Sequence, residues 1–454
     1  MDIKPLLVIL SFALPFAAQA EDEELLLDEE ETLELIEDDD ALSLDEDSDS
    51  MELSNDMLIA DTIDSQNEDD SPFTFEGSVG IEYRRFYQKG AAPTQDYHNN
   101  FSFKIEPTWR YEWDDGSQNI VFTPFARVDD QDEERTHFDI RELLWTKFTG
   151  DWTIRAGVGK VFWGVTESQH LVDIINQTDF VENINGEEKL GQSMLNLAYT
   201  ADYGTFDLFV LPGFRERTFP GEDGRLRLIP QVDNDHALYE SGAGDDHIDF
   251  AVRWAQTIGD WDIGLAHFHG TTRDPQYVPV FNGVGAPPVK LLAYYEIIDQ
   301  TSIDTQAVKG NWLWKLEAYS RGGQGSGRFE AAATGFEYTF SGVFETGADL
   351  GLLAEYLYDN RDISELTTPF DDDIYLGTRF GFNDTQSTEL LIGFIMDRRN
   401  NSEWTYSVEG SRRIAEDWKI SLEARGFGSA GPEYPISHSV RKDDYIMFEL
   451  ERFF

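Results

Sequence analysis

The sequence contains no cysteine. Disulfide staples, thiol catalysis and thiolate metal sites are therefore excluded, and an exported form of the chain must be stabilised by other means. No uninterrupted apolar stretch of about 18 residues occurs, which argues against helical membrane spans. Basic residues are scarce: 35 Lys and Arg stand against 88 Asp and Glu, for a formal net charge of −53. Such an acidic balance argues against nucleic-acid binding, because phosphate contacts require clusters of Lys and Arg. The segment 21–70 is the extreme case, with 24 acidic residues and neither Lys nor Arg.

What is present begins with a secretory signal over 1–20. Lys4 supplies a weak positive start, Leu6 to Phe16 form a short apolar core, and Ala18-Gln19-Ala20 is a small-x-small cleavage site. The acidic stretch 21–70 is expected to be a disordered periplasmic segment. Its apolar clusters, Leu25-Leu26-Leu27, Leu33 to Ile36 and Met57-Leu58-Ile59, are candidate docking points for a periplasmic protein.

From Phe73 onward the chain breaks into segments of roughly ten residues with period-two alternation, separated by turn residues. Phe101, Phe103, Ile105, Trp109, Tyr111 and Trp113 alternate with Lys104, Glu106, Thr108, Arg110 and Glu112. Ile248, Phe250, Val252 and Trp254 alternate with Asp249, Ala251 and Arg253. About 18 such segments are expected (16–18). Very short links such as Gly150-Asp151, Asp202-Tyr203-Gly204 and Gly259-Asp260 alternate with long ones at 164–190, 212–246, 271–290, 360–370 and 428–440. Trp113, Trp152, Trp261, Trp312 and Trp418 stand beside short links, where they suit an interfacial girdle, and Trp404 lies near the opposite end. Pro107 and Pro124 each remove a ladder donor, and a local bulge is expected there.

The last strand, Tyr445 to Phe454, puts Ile446, Phe448, Leu450 and Phe454 on one face and Glu449 and Glu451 on the other. It resembles the closing strand of Gram-negative outer-membrane β-barrels, with Arg452 standing where an apolar residue is usual. That resemblance covers roughly 73–454. It implies an all-β transmembrane antiparallel barrel over 71–454, located in the outer membrane. The partners it implies are outer-membrane lipid and lipopolysaccharide, with the barrel-assembly machinery reading the C-terminal strand. Closure also has a physical reason: lipid offers no hydrogen-bond partner to a free strand edge.

Candidate pore-lining residues are Arg84, Arg110, Arg127, Arg141, Arg155, Arg253, Arg321, Arg379, Arg413 and Arg425, together with Glu106, Glu112, Glu409 and Glu449. They either set a transverse field on a hydrated solute or pair across strands to stiffen a wide wall. The link 164–190 is the candidate constriction, with Asp173, Asn176 and Asp179 as its polar residues. Its apolar residues Leu171, Val172, Ile174, Ile175 and Phe180 suit burial inside the lumen. This stretch resembles one in a loosely defined group of porin-like proteins, with Gln177 where Pro is expected. Arg215, Arg217, Arg225 and Arg227 offer contacts to lipopolysaccharide phosphates or an anionic solute. The acidic runs at 129–134 and 371–373 lack calcium-loop spacing, and His267 and His269 lack a third ligand, so no metal and no cofactor is expected. Ser437-His438-Ser439 carries no accompanying catalytic motif, and no enzymatic activity is expected. The reading is a porin-like channel passing small hydrophilic solutes by diffusion. The alternative is an outlet of a periplasmic export or uptake system, docked through 21–70.

Overall fold

A computed structural model describes residues 71–454 except 326, 362–367, 369 and 430. The expected signal and the acidic segment, 1–70, lie outside the described residues. The chain runs through β1 (Phe73–Phe86), β2 (Asn99–Trp113), β3 (Gln118–Asp129), β4 (His137–Thr149), β5 (Trp152–Gly159), β6 (Gln192–Ala201) and β7 (Gly204–Pro212). It continues through β8 (Val232–Tyr239), β9 (Ile248–Ile258), β10 (Trp261–Thr271), β11 (Gln276–Phe281), β12 (Pro288–Tyr295), β13 (Ile297–Lys309) and β14 (Trp312–Gly322). The last strands are β15 (Phe329–Val343), β16 (Ala348–Asp359), β17 (Asp372–Gly381), β18 (Glu389–Asp397), β19 (Trp404–Ala415), β20 (Trp418–Gly428) and β21 (Tyr445–Phe453). One short helix, α1 (Pro435–Val440), precedes β21.

Eighteen of these strands form one sheet in which each pairs antiparallel with its neighbours, skipping β8, β11 and β12. The sheet closes on itself. β1 pairs with β21 from Ser78↔Phe453 to Phe86↔Tyr445, and Gly77 and Phe454 exchange both backbone hydrogen bonds at 3.0 Å. Among the described residues every barrel strand is paired on both sides, which is the condition for a sheet to live in lipid.

The alternation read from the sequence sets the two faces. Phe75, Ile81, Phe103, Leu195, Leu208, Phe250, Leu265 and Leu376 are exposed on the outside, while Glu82, Arg84, Ser102 and Asp249 are buried inside. Pro124 acts as expected. The register of β3 on β4 shifts between Thr123 and Pro124, from Thr123↔Glu142 to Pro124↔Ile140. The extra residue on β4 is Arg141, so Arg141 and Glu142 both point inward and the alternation changes phase there. At Pro107 the ladder to β3 only thins, with no shift of register.

The links sort by end. At one end most connections are short turns, including Asp114–Ser117, Gly150–Asp151, Asp202–Tyr203 and Glu416–Asp417, and the longest is 382–388. At the other end lie the long loops, notably 160–191, 213–247, 272–296 and 429–444. Two of these hold structure that the alternation did not announce. β11 and β12 form a hairpin, and β8 joins β12 in parallel to make a separate three-stranded sheet. Phe214, Phe219, Val232, Ala293 and Tyr295 form its buried core.

Candidate functional site

The loop 160–191 turns into the barrel. Its cause is an inner wall that breaks the rule of polar lining. Leu144, Met194, Phe209, Leu211, Ala251, Ala266, Phe268 and Ile298 all face inward from β4, β6, β7, β9, β10 and β13. Trp163, Val172, Ile174 and Ile175 of the loop pack on them as one buried cluster. Full burial of each aliphatic side chain stabilises by about 1.5–3 kcal/mol, so this contact suffices to draw the loop inside. A sequence signal existed for it: in Leu208-Phe209-Val210-Leu211 both faces of the strand are apolar.

The three polar residues expected at the constriction hold the loop together. Asn176 Oδ1 accepts from Val161 N at 2.8 Å, and its Nδ2 donates to Gly159 O at 2.9 Å and Leu190 O at 2.8 Å, which pins the two ends of the loop to each other. Asp179, fully buried, pairs with Arg141 at 2.7 Å and accepts from Thr218 Oγ1 at 2.5 Å. Asp173 pairs with Lys189 at 3.0 Å. Asp173 and Asn176 also border the remaining cavity.

The tip of the loop reaches the far wall. Glu317 of β14 accepts from Val165 N at 2.7 Å, Thr166 N at 2.9 Å, Thr166 Oγ1 at 2.7 Å and Val172 N at 3.1 Å. Glu355 of β16 accepts from Glu167 N at 2.8 Å and Ser168 N at 2.9 Å. Glu167 in turn pairs with Arg379 of β17 at 2.5 Å. Leaving the barrel wall at β5 and fastened at β14 to β17, the loop crosses the lumen. The alternation of β14 and β16 puts Glu317 and Glu355 on the lumen face, but nothing in a strand's own sequence shows that a loop approaches them from the opposite side.

By the pairing register, all fourteen candidate lining residues lie on the inner side of the barrel. Arg84, Arg127, Arg141 and Arg321 are buried rather than solvated. Arg127 bridges Glu82 at 3.2 Å and Glu182 of the loop at 2.7 Å, and Arg135 bridges Glu82 and Asp129, each at 2.9 Å. Burial works against the Glu182 charge, yet Arg127 and a hydrogen bond from His137 outweigh it and hold this carboxyl far below the usual range. Arg253 pairs with Asp304 at 2.6 Å, and Arg425 with Glu409 and Glu423 at 2.5 Å each. Arg110, with Glu112 at 3.9 Å, sits nearer the turn end and is partly solvated.

The arginines of the 213–247 loop face inward too. Arg217 pairs with Asp274 at 2.9 Å and stacks on Phe180, and Arg225 pairs with Asp443 at 2.7 Å and stacks on Phe86. Arg227 is buried against backbone carbonyls, while Arg215 is partly exposed and pairs with Asp139 at 2.8 Å. His267 and His269 lie on the outer face, His267 within 2.9 Å of Thr301 Oγ1. His438, in α1, sits 3.4 Å from Ser429 Oγ. The acidic runs serve as hydrogen-bond acceptors: Asp129 takes Asn100 and Arg135, and Asp373 takes the amides of Asp371 and Asp372. Among the described residues, Asp233, Asp235 and His236 bring three possible ligand atoms within 4.8 Å of one another, with Asp233 already engaged by Lys290.

Between the loop and β17 to β20 a cavity of about 380 Å³ remains. Glu167, His170, Glu187 and Lys189 border it from the loop, and Tyr375, Glu409 and Arg425 from the wall. Its surface carries both signs of charge and several aromatic rings.

No protein-family model matches this chain, and no curated protein does. Among solved structures, a protein described under asymmetric conductivity of engineered proteins aligns over 84% of this chain and 100% of its own, at 11% identity and a TM-score of 0.41. Two engineered variants of the Rhodopseudomonas blastica porin align over the same shares at 12% identity, with TM-scores of 0.41 and 0.40. The superposition is loose and transfers no residue role. The closed barrel stands on its own register.

Proposed function

We propose that this chain is a porin-like outer-membrane channel through which small hydrophilic solutes diffuse. The observation that carries the proposal is a closed barrel, apolar outside and charged inside, narrowed by its own loop around a cavity that charged, aromatic and aliphatic side chains line together. The outer belt matches the solvent of a bilayer and the short-turn end matches the periplasmic side of such barrels. Selection by size would come from the space between the loop and β17 to β20, and selection by charge from the ion pairs that border it.

Purified barrel reconstituted in planar bilayers should give discrete conductance steps. A liposome-swelling series with sugars, amino acids and organic acids should show rates that fall with solute size. Absence of conductance at every voltage, or a protein that stays dispersed without detergent, would refute the channel. Deleting 21–70 should leave conductance unchanged, whereas an export outlet would lose its partner.

A further inference from the structure

Resting on the channel reading, we infer that the pore selects for cations, drawing them in through its short-turn mouth. Three separate features carry the inference. The first is the rim: the turns at this end hold Asp114, Asp115, Asp151, Asp202, Asp260 and Glu416, all exposed, and no Lys or Arg stands in any of these turns. Among the described residues these six form no ion pair, whereas Asp384 and Asp417 of the same rim are neutralised by Arg412 at 3.3 Å and Arg452 at 3.0 Å, so the six set the sign of the field over the mouth.

The second is the wall. Inward-facing positions of β18 carry Glu389 and Asp397, and those of β21 carry Glu449 and Glu451, with no cation on either inner face. The basic residues that do line the lumen are largely committed. Lys104 is shared by Glu449 at 2.8 Å and Glu451 at 2.9 Å, and Arg425 sits between two carboxylates. A cation held by two acids leaves net negative charge at its own position.

The third is the loop. Glu187 and Glu188 are exposed inside the barrel and make no ion pair among the described residues. They stand on the segment that narrows the lumen, where the low-dielectric wall focuses the field most strongly. A permeating cation thus meets carboxylates outside any ion pair at the mouth and again at the constriction, where Glu187 and Glu188 outnumber the single Lys189 beside them, and an anion is disfavoured at both.

Reversal potentials of the full mature chain in planar bilayers under a KCl gradient test this. At about 0.1 M salt the K⁺ over Cl⁻ permeability ratio should be roughly five or more. It should decline toward unity near 1 M, where the screening length is only about 3 Å. Replacing the five rim aspartates by asparagine should lower the ratio while keeping the barrel folded, since asparagine tolerates the positive φ of Asp114 and Asp115. The double change Glu187→Gln and Glu188→Gln should lower it further. Conductance with a ratio at or below unity at low salt overturns the inference and leaves the channel standing, as does a rim variant with unchanged selectivity. Failure to conduct at all overturns both.

Discussion

Removing the carboxylate that fastens the inward loop should convert a narrowed pore into a wider and noisier one. Glu317 is fully buried and accepts four hydrogen bonds from Val165, Thr166 and Val172. Hydrogen bonds to a charged group contribute about 1.5–3 kcal/mol each, and bonds sharing one acceptor are less than additive. Glu317→Ala should therefore weaken the tether by roughly 3–6 kcal/mol. Glu355 still holds Glu167 and Ser168, which places the expected loss toward the lower end. A loss of about 4 kcal/mol multiplies the detached population of the tip roughly a thousandfold. The neck of the loop should stay in place, because the hydrogen bonds of Asn176 and the packing of Ile174 and Ile175 are untouched. Single-channel recording should show larger steps with added flicker, and Glu317→Gln, which keeps the shape and one acceptor oxygen, should fall between. A folded Glu317→Ala barrel with the conductance and noise of the parent would refute the tether and with it the idea that this loop sets the pore width.

Three further outcomes follow from the same geometry. Asp179→Ala strands the buried Arg141, with only Asp139 left at 3.7 Å, and should cost about 3–5 kcal/mol, read as a lower denaturant midpoint; an unchanged midpoint would show the pair to be dispensable. Gly77→Leu at the closing seam should prevent formation of heat-modifiable barrel on gels, because a Cβ at Gly77 would stand 2.6 Å from Pro107 Cα and 2.8 Å from Glu106 O. Loss of bulk hydration inside the barrel, with Glu409 nearby, pushes the Glu187 carboxyl up to about 7, against which His170 and Arg425 act. Its charge is thus present above that pH and lost below it, so cation preference should fall between pH 8 and pH 6, and Glu187→Gln should flatten that step in reversal-potential measurements.

Much of the architecture was legible along the chain because a barrel wall is written locally. Each strand meets one solvent on one face and another on the opposite face, so a period of two names both faces without knowledge of any neighbour. Loop asymmetry named the ends, the terminal Phe454 named the seam, and Pro124 named its bulge. The inner position of the candidate arginines followed from the same arithmetic. Their partners did not. Whether Arg127 meets water or Glu182, and whether Asp179 faces a solute or Arg141, depends on a loop that arrives from another part of the barrel.

What the sequence by itself determined is therefore the wall: strand number, facing, closure and the apolar loop that seeks burial. What only the tertiary structure decided is the lumen. The apolar inner patch of β4 to β13, the crossing to Glu317 and Glu355, and the small sheet of β8, β11 and β12 all join residues far apart in the chain. Period-two patterning specifies which side a residue faces, and carries no information about what stands across from it.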